Sequence, residues 1–129
     1  MKLNKTIIRL LTSLTVVTAL SFNAGIAQAA NYHGAIAISP SSKALGWSYD
    51  YRSRRAAETA ALAECYKHAS DCRIATWFRN ACGAVSIGEN GGWGANWGRS
   101  IHQAKVKSKR LCHQNDSYCQ VERWVCTTR

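Results

Sequence analysis

His33, His68, His102 and His113 are the four histidines of the chain. Two imidazoles around one phosphate would give a ribonuclease its general acid and base, and His33 with His102 or His113 is such a combination. Asp50 with Glu89 is the two-carboxylate candidate for a wall hydrolase, which needs an acid and a base or nucleophile at a set separation. No spacing ties either pair together, and both carboxylates fall near expected hairpin turns, where charges are ordinarily solvated. Ser39, Ser41 and Ser42 stand in no Gly-x-Ser-x-Gly elbow. The glycine-rich stretch 88–98 lacks the Lys-Ser/Thr that completes a phosphate-cradling loop. No catalytic residue is assigned, and no cofactor or metal ligand set is expected.

Aromatic and cationic residues offer binding chemistry instead. Trp47, Tyr49 and Tyr51 alternate, so a strand puts all three rings on one face. Trp93 and Trp97 also share a face, and Gly91, Gly92, Gly94 and Gly98 around them leave rings uncovered or let strands approach closely. Trp93 and Trp97 are therefore candidate ligand-binding residues. Trp47, Trp77 and Trp124 are expected in the interior, because alanine-rich helix faces need large partners to fill space. Arg52, Arg54 and Arg55 open the first expected helix. Lys105, Lys107, Lys109 and Arg110 lie on the second, with Lys105 and Lys109 on one flank and Lys107 and Arg110 on another. A net charge of +10 favours an anionic partner: an envelope component such as lipid headgroups or wall polymer, or an acidic protein. No nucleic-acid motif is present, and nucleic acid is not an expected partner.

The elements that position these residues begin after a leader. Lys2, Lys5 and Arg9 precede or interrupt an apolar stretch over 7–22, and Ala27-Gln28-Ala29 gives a small-x-small cleavage pattern; together they predict a secretory signal peptide over 1–29. Cleavage after Ala29 leaves 100 residues, with 14 basic against 7 acidic side chains. That length allows one domain over 30–129. It excludes a dinucleotide-binding fold and an eight-unit βα barrel. No later apolar run is long enough to span a membrane. The expected location is the periplasm or the medium.

The remaining chain repeats itself. Displaced by 47 positions, Arg52 falls on Arg99, Ser53 on Ser100, Ala57 on Ala104, Cys65 on Cys112, Cys72 on Cys119 and Trp77 on Trp124. With a slip of two more residues, Gly34-Ala-Ile-Ala-Ile matches Gly83-Ala-Val-Ser-Ile. Two copies of one supersecondary unit are expected, roughly 34–82 and 83–129. Each reads as a short apolar strand, a turn, an aromatic strand, a helix capped by Ser53 or Ser100, and a closing strand. Ala57, Ala61 and Cys65 share one face of the first helix. Ile101, Ala104, Ser108, Leu111 and Cys112 share one face of the second.

Six cysteines (Cys65, Cys72, Cys82, Cys112, Cys119 and Cys126) in an exported chain of this size predict three disulfides. No CxxC spacing points to zinc or redox chemistry. Symmetric duplication favours Cys65–Cys72 and Cys112–Cys119 and leaves Cys82–Cys126 to join the halves. The chain-entropy model gives about 2.5 kcal/mol for each short loop and about 4 kcal/mol for the long one.

Tyr32-His33-Gly34-Ala35-Ile36-Ala37, the helix over 56–65, the run from Cys72 to Ala84 through Trp77 and Cys82, the glycine–tryptophan stretch over 91–98 and the closing Cys119…Trp124-Val125-Cys126 carry a family resemblance. Together they resemble the bacterial domain of unknown function numbered 4189 along nearly all of the mature chain. The resemblance implies export, a disulfide framework and a shared fold, and it implies no reaction. The second helix departs from the family's alanine- and glutamate-rich run by its cluster of cations.

The expected fold is α+β: two duplicated ββαβ units related by a pseudo-two-fold, an antiparallel sheet with two helices packed on it, and three disulfides. The expected function is an exported, non-catalytic binding module of the bacterial envelope or medium, such as an inhibitor or immunity-type protein. The alternatives are a small secreted cationic hydrolase or toxin, and an envelope-surface structural protein held by charge.

Overall fold

A computed structural model describes residues 30–129, and the expected leader lies outside the described residues. The element order is β1 (His33–Ile38), β2 (Leu45–Tyr51), α1 (Arg54–Tyr66), β3 (Arg73–Arg79), β4 (Cys82–Ile87), β5 (Trp93–Gly98), α2 (Ile101–His113) and β6 (Gln120–Cys126). This is ββαβ twice. Ser53 Oγ accepts the Ala56 N–H and Ser100 Oγ accepts the Gln103 N–H, each at 3.1 Å. Both helices thus start where a hydroxyl satisfies an otherwise free first-turn amide.

The antiparallel sheet is divided into two three-stranded sheets, one per unit, with orders β2-β1-β3 and β5-β4-β6. Side-chain size along the central strands explains the layering. In β1, Ala35 and Ala37 pack against Ala57, Ala61 and Cys65 of α1, while Ile36 and Ile38 join Phe78, Val85 and Val125 in a core shared by both sheets. In β4, Ala84 packs against Ala104 of α2, and Val85 turns to the shared core. Small residues face helices and larger ones face the opposite sheet, in the order helix, sheet, sheet, helix. Phe78 sits at the centre of this stack. A Cβ on Gly34 would lie 2.3 Å from its ring and one on Gly83 2.5 Å from it, so the repeated glycine of each unit makes room for one phenylalanine.

The expected interior positions for tryptophan are not interior. Trp47 is 37% exposed and Trp124 44% exposed, and Trp77 is half-buried. On the helix faces, where Trp77 and Trp124 stand, the helices lie too close to their sheets to admit an indole, whereas Trp47 sits at the rim between the sheets beneath Arg123. A Cβ on Gly46 would fall 2.1 Å from the Ala61 carbonyl oxygen, and one on Gly94 2.3 Å from the Cys112 nitrogen. Close approach of alanine faces fills the space that large side chains were expected to fill.

The sequence slip has a structural origin. Ile38 pairs with Leu45 across a six-residue connection, and Ile87 pairs with Trp93 across five residues. The second residue is absorbed between the His33–Tyr51 and Ala35–Ser48 pairs, where β2 bulges at Asp50 with φ 62°. The pairing of β4 with β5 carries no such irregularity.

Cys65 bonds Cys72, Cys112 bonds Cys119, and Cys82 bonds Cys126. The last bridge does not join the units. Cys82 is the first residue of β4 and the cross-strand partner of Cys126 in β6, so the bond lies within the second sheet. The unit boundary therefore falls before Cys82. No disulfide joins the units; apart from the chain itself they are held by the shared core, and at its two rims by cation–π contacts. Arg123 of β6 lies 3.8 Å from the Trp47 ring centre of β2, and Arg73 of β3 lies 5.4 Å from that of Trp93 of β5.

Candidate functional site

The candidate acid–base residues do not converge. His33 stacks on Trp77 at 6.4 Å on the α1 side of the first sheet, with its Nδ1 buried and unpartnered. His102 and His113 are exposed on α2, beyond the second sheet, and eleven residues of helix separate them by about 16 Å. Asp50 accepts the Thr128 N–H at 2.9 Å, just past the Cys126 end of β6, whereas Glu89 accepts from Ser117 Oγ at the Ile87 end of β4. A strand length of about 20 Å lies between them, well beyond the separation of a glycosidase pair. Among the described residues, no group of three or more His, Cys, Asp or Glu could hold a metal ion.

Two carboxylates that spacing did not single out are tied down more firmly. Asp71, just before β3, accepts hydrogen bonds from Ser39 Oγ and from the Ser41 N–H, the latter at 3.1 Å. The hydroxyls of Ser39 and Ser41 hold its pKa at about 2, against an ordinary 3.8. Asp116, just before β6, accepts the N–H groups of Asn90 and Gly92 at 2.9 and 2.7 Å. Burial opposes its ionisation, but amides from Ser117, Asn90 and Gly92 prevail and lower its pKa. Each Asp pins the hairpin of its own unit to the helix–strand connection. The two stand 45 positions apart rather than 47, so the repeat register conceals their equivalence. A carboxylate held that acidic is a poor proton acceptor at neutral pH.

The aromatic residues form the exposed chemistry. All five tryptophans carry a cationic side chain over a ring. Besides the two rim pairs, Arg54 lies 4.4 Å from the Trp77 ring centre, Lys105 5.2 Å from that of Trp124, and Lys107 5.2 Å from that of Trp97. Such pairs ordinarily occur about once per 70–80 residues. Trp93 is half-buried at the shared core, so of the two candidate ligand tryptophans only Trp97, at 44% exposure, is open. The candidate cations are not one patch. The Lys105 flank of α2 leads to Trp124 on β6, and the Lys107 flank leads to Trp97 on β5, the opposite edge of the sheet. Lys109 and Arg110 are exposed. Trp97 also borders a cleft of about 250 Å³ with Trp77, Phe78 and Arg79.

A larger groove of about 760 Å³ runs between β2 and α1 of the first unit. Trp47, Tyr49 and Tyr51 line it from β2, and Ala60, Ala63, Glu64 and His68 from α1 and its end. The three rings do not share one strand face as their alternation predicts, because the bulge at Asp50 turns Tyr51 to the α1 side with its partner His33. Sequence reasoning missed the helix wall. The available signal was in the repeat itself, where Ala60 and Ala63 align with Lys107 and Arg110.

Known proteins are similar to this chain. Protein Rv1269c of Mycobacterium tuberculosis and Protein Mb1300c of Mycobacterium bovis are each 39% identical to the chain over 84 residues, covering 63% of it and 64% of their own length. The chain thus spans a little under two thirds of these curated relatives. The NMR structure of Rv1813c from Mycobacterium tuberculosis is similar at 27% identity with a TM-score of 0.56, covering 74% of each chain. The family described as Domain of unknown function (DUF4189) matches residues 33–126, and the chain belongs to that family.

Proposed function

We propose that the protein is an exported, non-catalytic recognition module of the bacterial envelope or medium, and that its second unit engages an anionic envelope component. Three disulfides among the described residues suit an oxidising compartment. No helix among the described residues is long and apolar enough to cross a membrane. One observation carries the partner assignment: Lys105 and Lys107 extend from α2 onto the exposed indoles of Trp124 and Trp97. Each pair offers a cation and an amphipathic ring at the same place, a combination suited to headgroups or acidic polymers.

The test is sedimentation of the mature protein, residues 30–129, with phosphatidylglycerol-containing vesicles. Replacing Lys105, Lys107, Lys109 and Arg110 by Gln is expected to weaken binding at least tenfold while the melting temperature is retained. Binding to neutral vesicles should be absent, and moderate salt should release the protein, because exposed charges are screened over about 8 Å at physiological ionic strength. Unchanged binding by the Gln variant would remove the proposal.

A further inference from the structure

The two units provide an internal comparison of their outer strand edges. In the second unit, Lys107 Nζ donates to the Trp97 carbonyl oxygen of β5 at 3.3 Å, so a lysine caps the free edge. Capping by lysine is a common protection against unwanted strand pairing. In the first unit the position equivalent to Lys107 is Ala60, and Ala63 replaces Arg110. These small side chains leave the groove along β2 open.

The edge itself is equipped for pairing. The Ser39 N–H donates to the Ala44 carbonyl at 2.9 Å and closes the β1–β2 hairpin. Alternation in an antiparallel ladder then turns the backbone groups of Gly46 and Ser48 toward β1 and those of Leu45 and Trp47 outward. The outward groups meet the groove with donors and acceptors at a two-residue period. An extended peptide matches that pattern; a lipid headgroup does not. Charge indicates which peptide. The chain has 17 cationic and 7 acidic residues, yet the groove lining contains Asp50 and Glu64 and neither Lys nor Arg. His68 is its other titratable group besides the tyrosines. Lys67, which pairs with Glu64 at 2.8 Å, and Arg123, which lies over the Trp47 ring, do not line the groove.

We propose that β2 is a docking strand, and that its free edge takes an extended basic segment of a partner protein as a fourth strand of the first sheet. Main-chain hydrogen bonds to Leu45 and Trp47 would supply affinity. Its side chains would alternate between the face of Tyr49 and the α1 face, where they would rest near Tyr51, Ala60 and Ala63. The anion-binding role of the second unit is separate from this site and can fail without it.

The probe is a phage-displayed library of random decapeptides selected on the mature protein. Enriched peptides are expected to alternate basic and apolar residues. Synthetic copies should bind at least tenfold more weakly to the Ala60→Lys/Ala63→Arg variant, which carries the second unit's side chains at the equivalent helix positions, half-buried Ala60 and exposed Ala63. Amide exchange on the wild type needs no variant: the Leu45 and Trp47 amides should exchange fast alone and slow at least tenfold with peptide. Enrichment of acidic sequences, equal binding to the plugged variant, or no slowing at those two amides would overturn the proposal. A concentration-dependent dimer protecting the same amides would assign the edge to a second copy and also overturn it.

Discussion

Asp71 shows how hydrogen bonding to the ionised form turns a loop carboxylate into a structural tie. Its carboxylate is held by Ser39 and Ser41, and the resulting pKa of about 2 lies below the ordinary 3.8. A depressed folded-state pKa stabilises the fold above the ordinary value, and that contribution is lost as pH falls through about 2. Asp71→Asn is therefore expected to lower the melting temperature at pH 7, with wild type and variant converging as pH approaches 2. A gap unchanged across that range would show that the hydrogen bonds to the ionised form are not the cause. Neither Asp71 nor Asp116 was legible in the sequence. Loop carboxylates are ordinary, and the uneven spacing of these two hides them from the repeat. The alternation of Trp47 and Tyr49 was legible from a strand period of two, but the bulge at Asp50 was not, and it turns Tyr51 to the α1 face with its partner His33.

At the scale of elements, helix-to-sheet distance decides where the aromatics go. Gly46 and Gly94 occupy equivalent positions beneath the two helices, and each admits backbone where a Cβ would collide. Gly46→Val is expected to destabilise by about 3 kcal/mol through displacement of α1, measured as a fall in urea midpoint. An unchanged midpoint would contradict the close approach. Strands, helices and caps could be read from sparse markers: paired cysteines, Ser53, Ser100 and the repeated glycines. The division into two sheets could not be read as readily. An apolar strand such as β1 requires cover on both faces, but its pattern does not say whether a helix or another sheet provides it. The alternation of Ala35 and Ala37 with Ile36 and Ile38 was the available clue, since small residues admit a close helix and large ones fill the gap between sheets.

For the whole molecule, a ββαβ layout appears twice, and separate uses are proposed for its two halves. Cys82–Cys126 closes a span of 44 residues and the other bridges spans of 7. By the chain-entropy model, replacing Cys82 and Cys126 with Ser costs about 4 kcal/mol, against about 2.5 kcal/mol for Cys65 and Cys72. Equal shifts in denaturation midpoint would argue against unfolded-state constraint as the main term. The pairing was legible from symmetry, but its location was not, because the unit boundary falls one residue before Cys82. The most direct test of divided roles measures two variants against two probes: the Lys105, Lys107, Lys109 and Arg110 to Gln variant and Ala60→Lys/Ala63→Arg, with anionic vesicles and with a selected basic peptide. The account predicts that the first variant loses vesicles and keeps the peptide, and that the second loses the peptide and keeps vesicles. Loss of both ligands by either folded variant, or of neither by both, would contradict it.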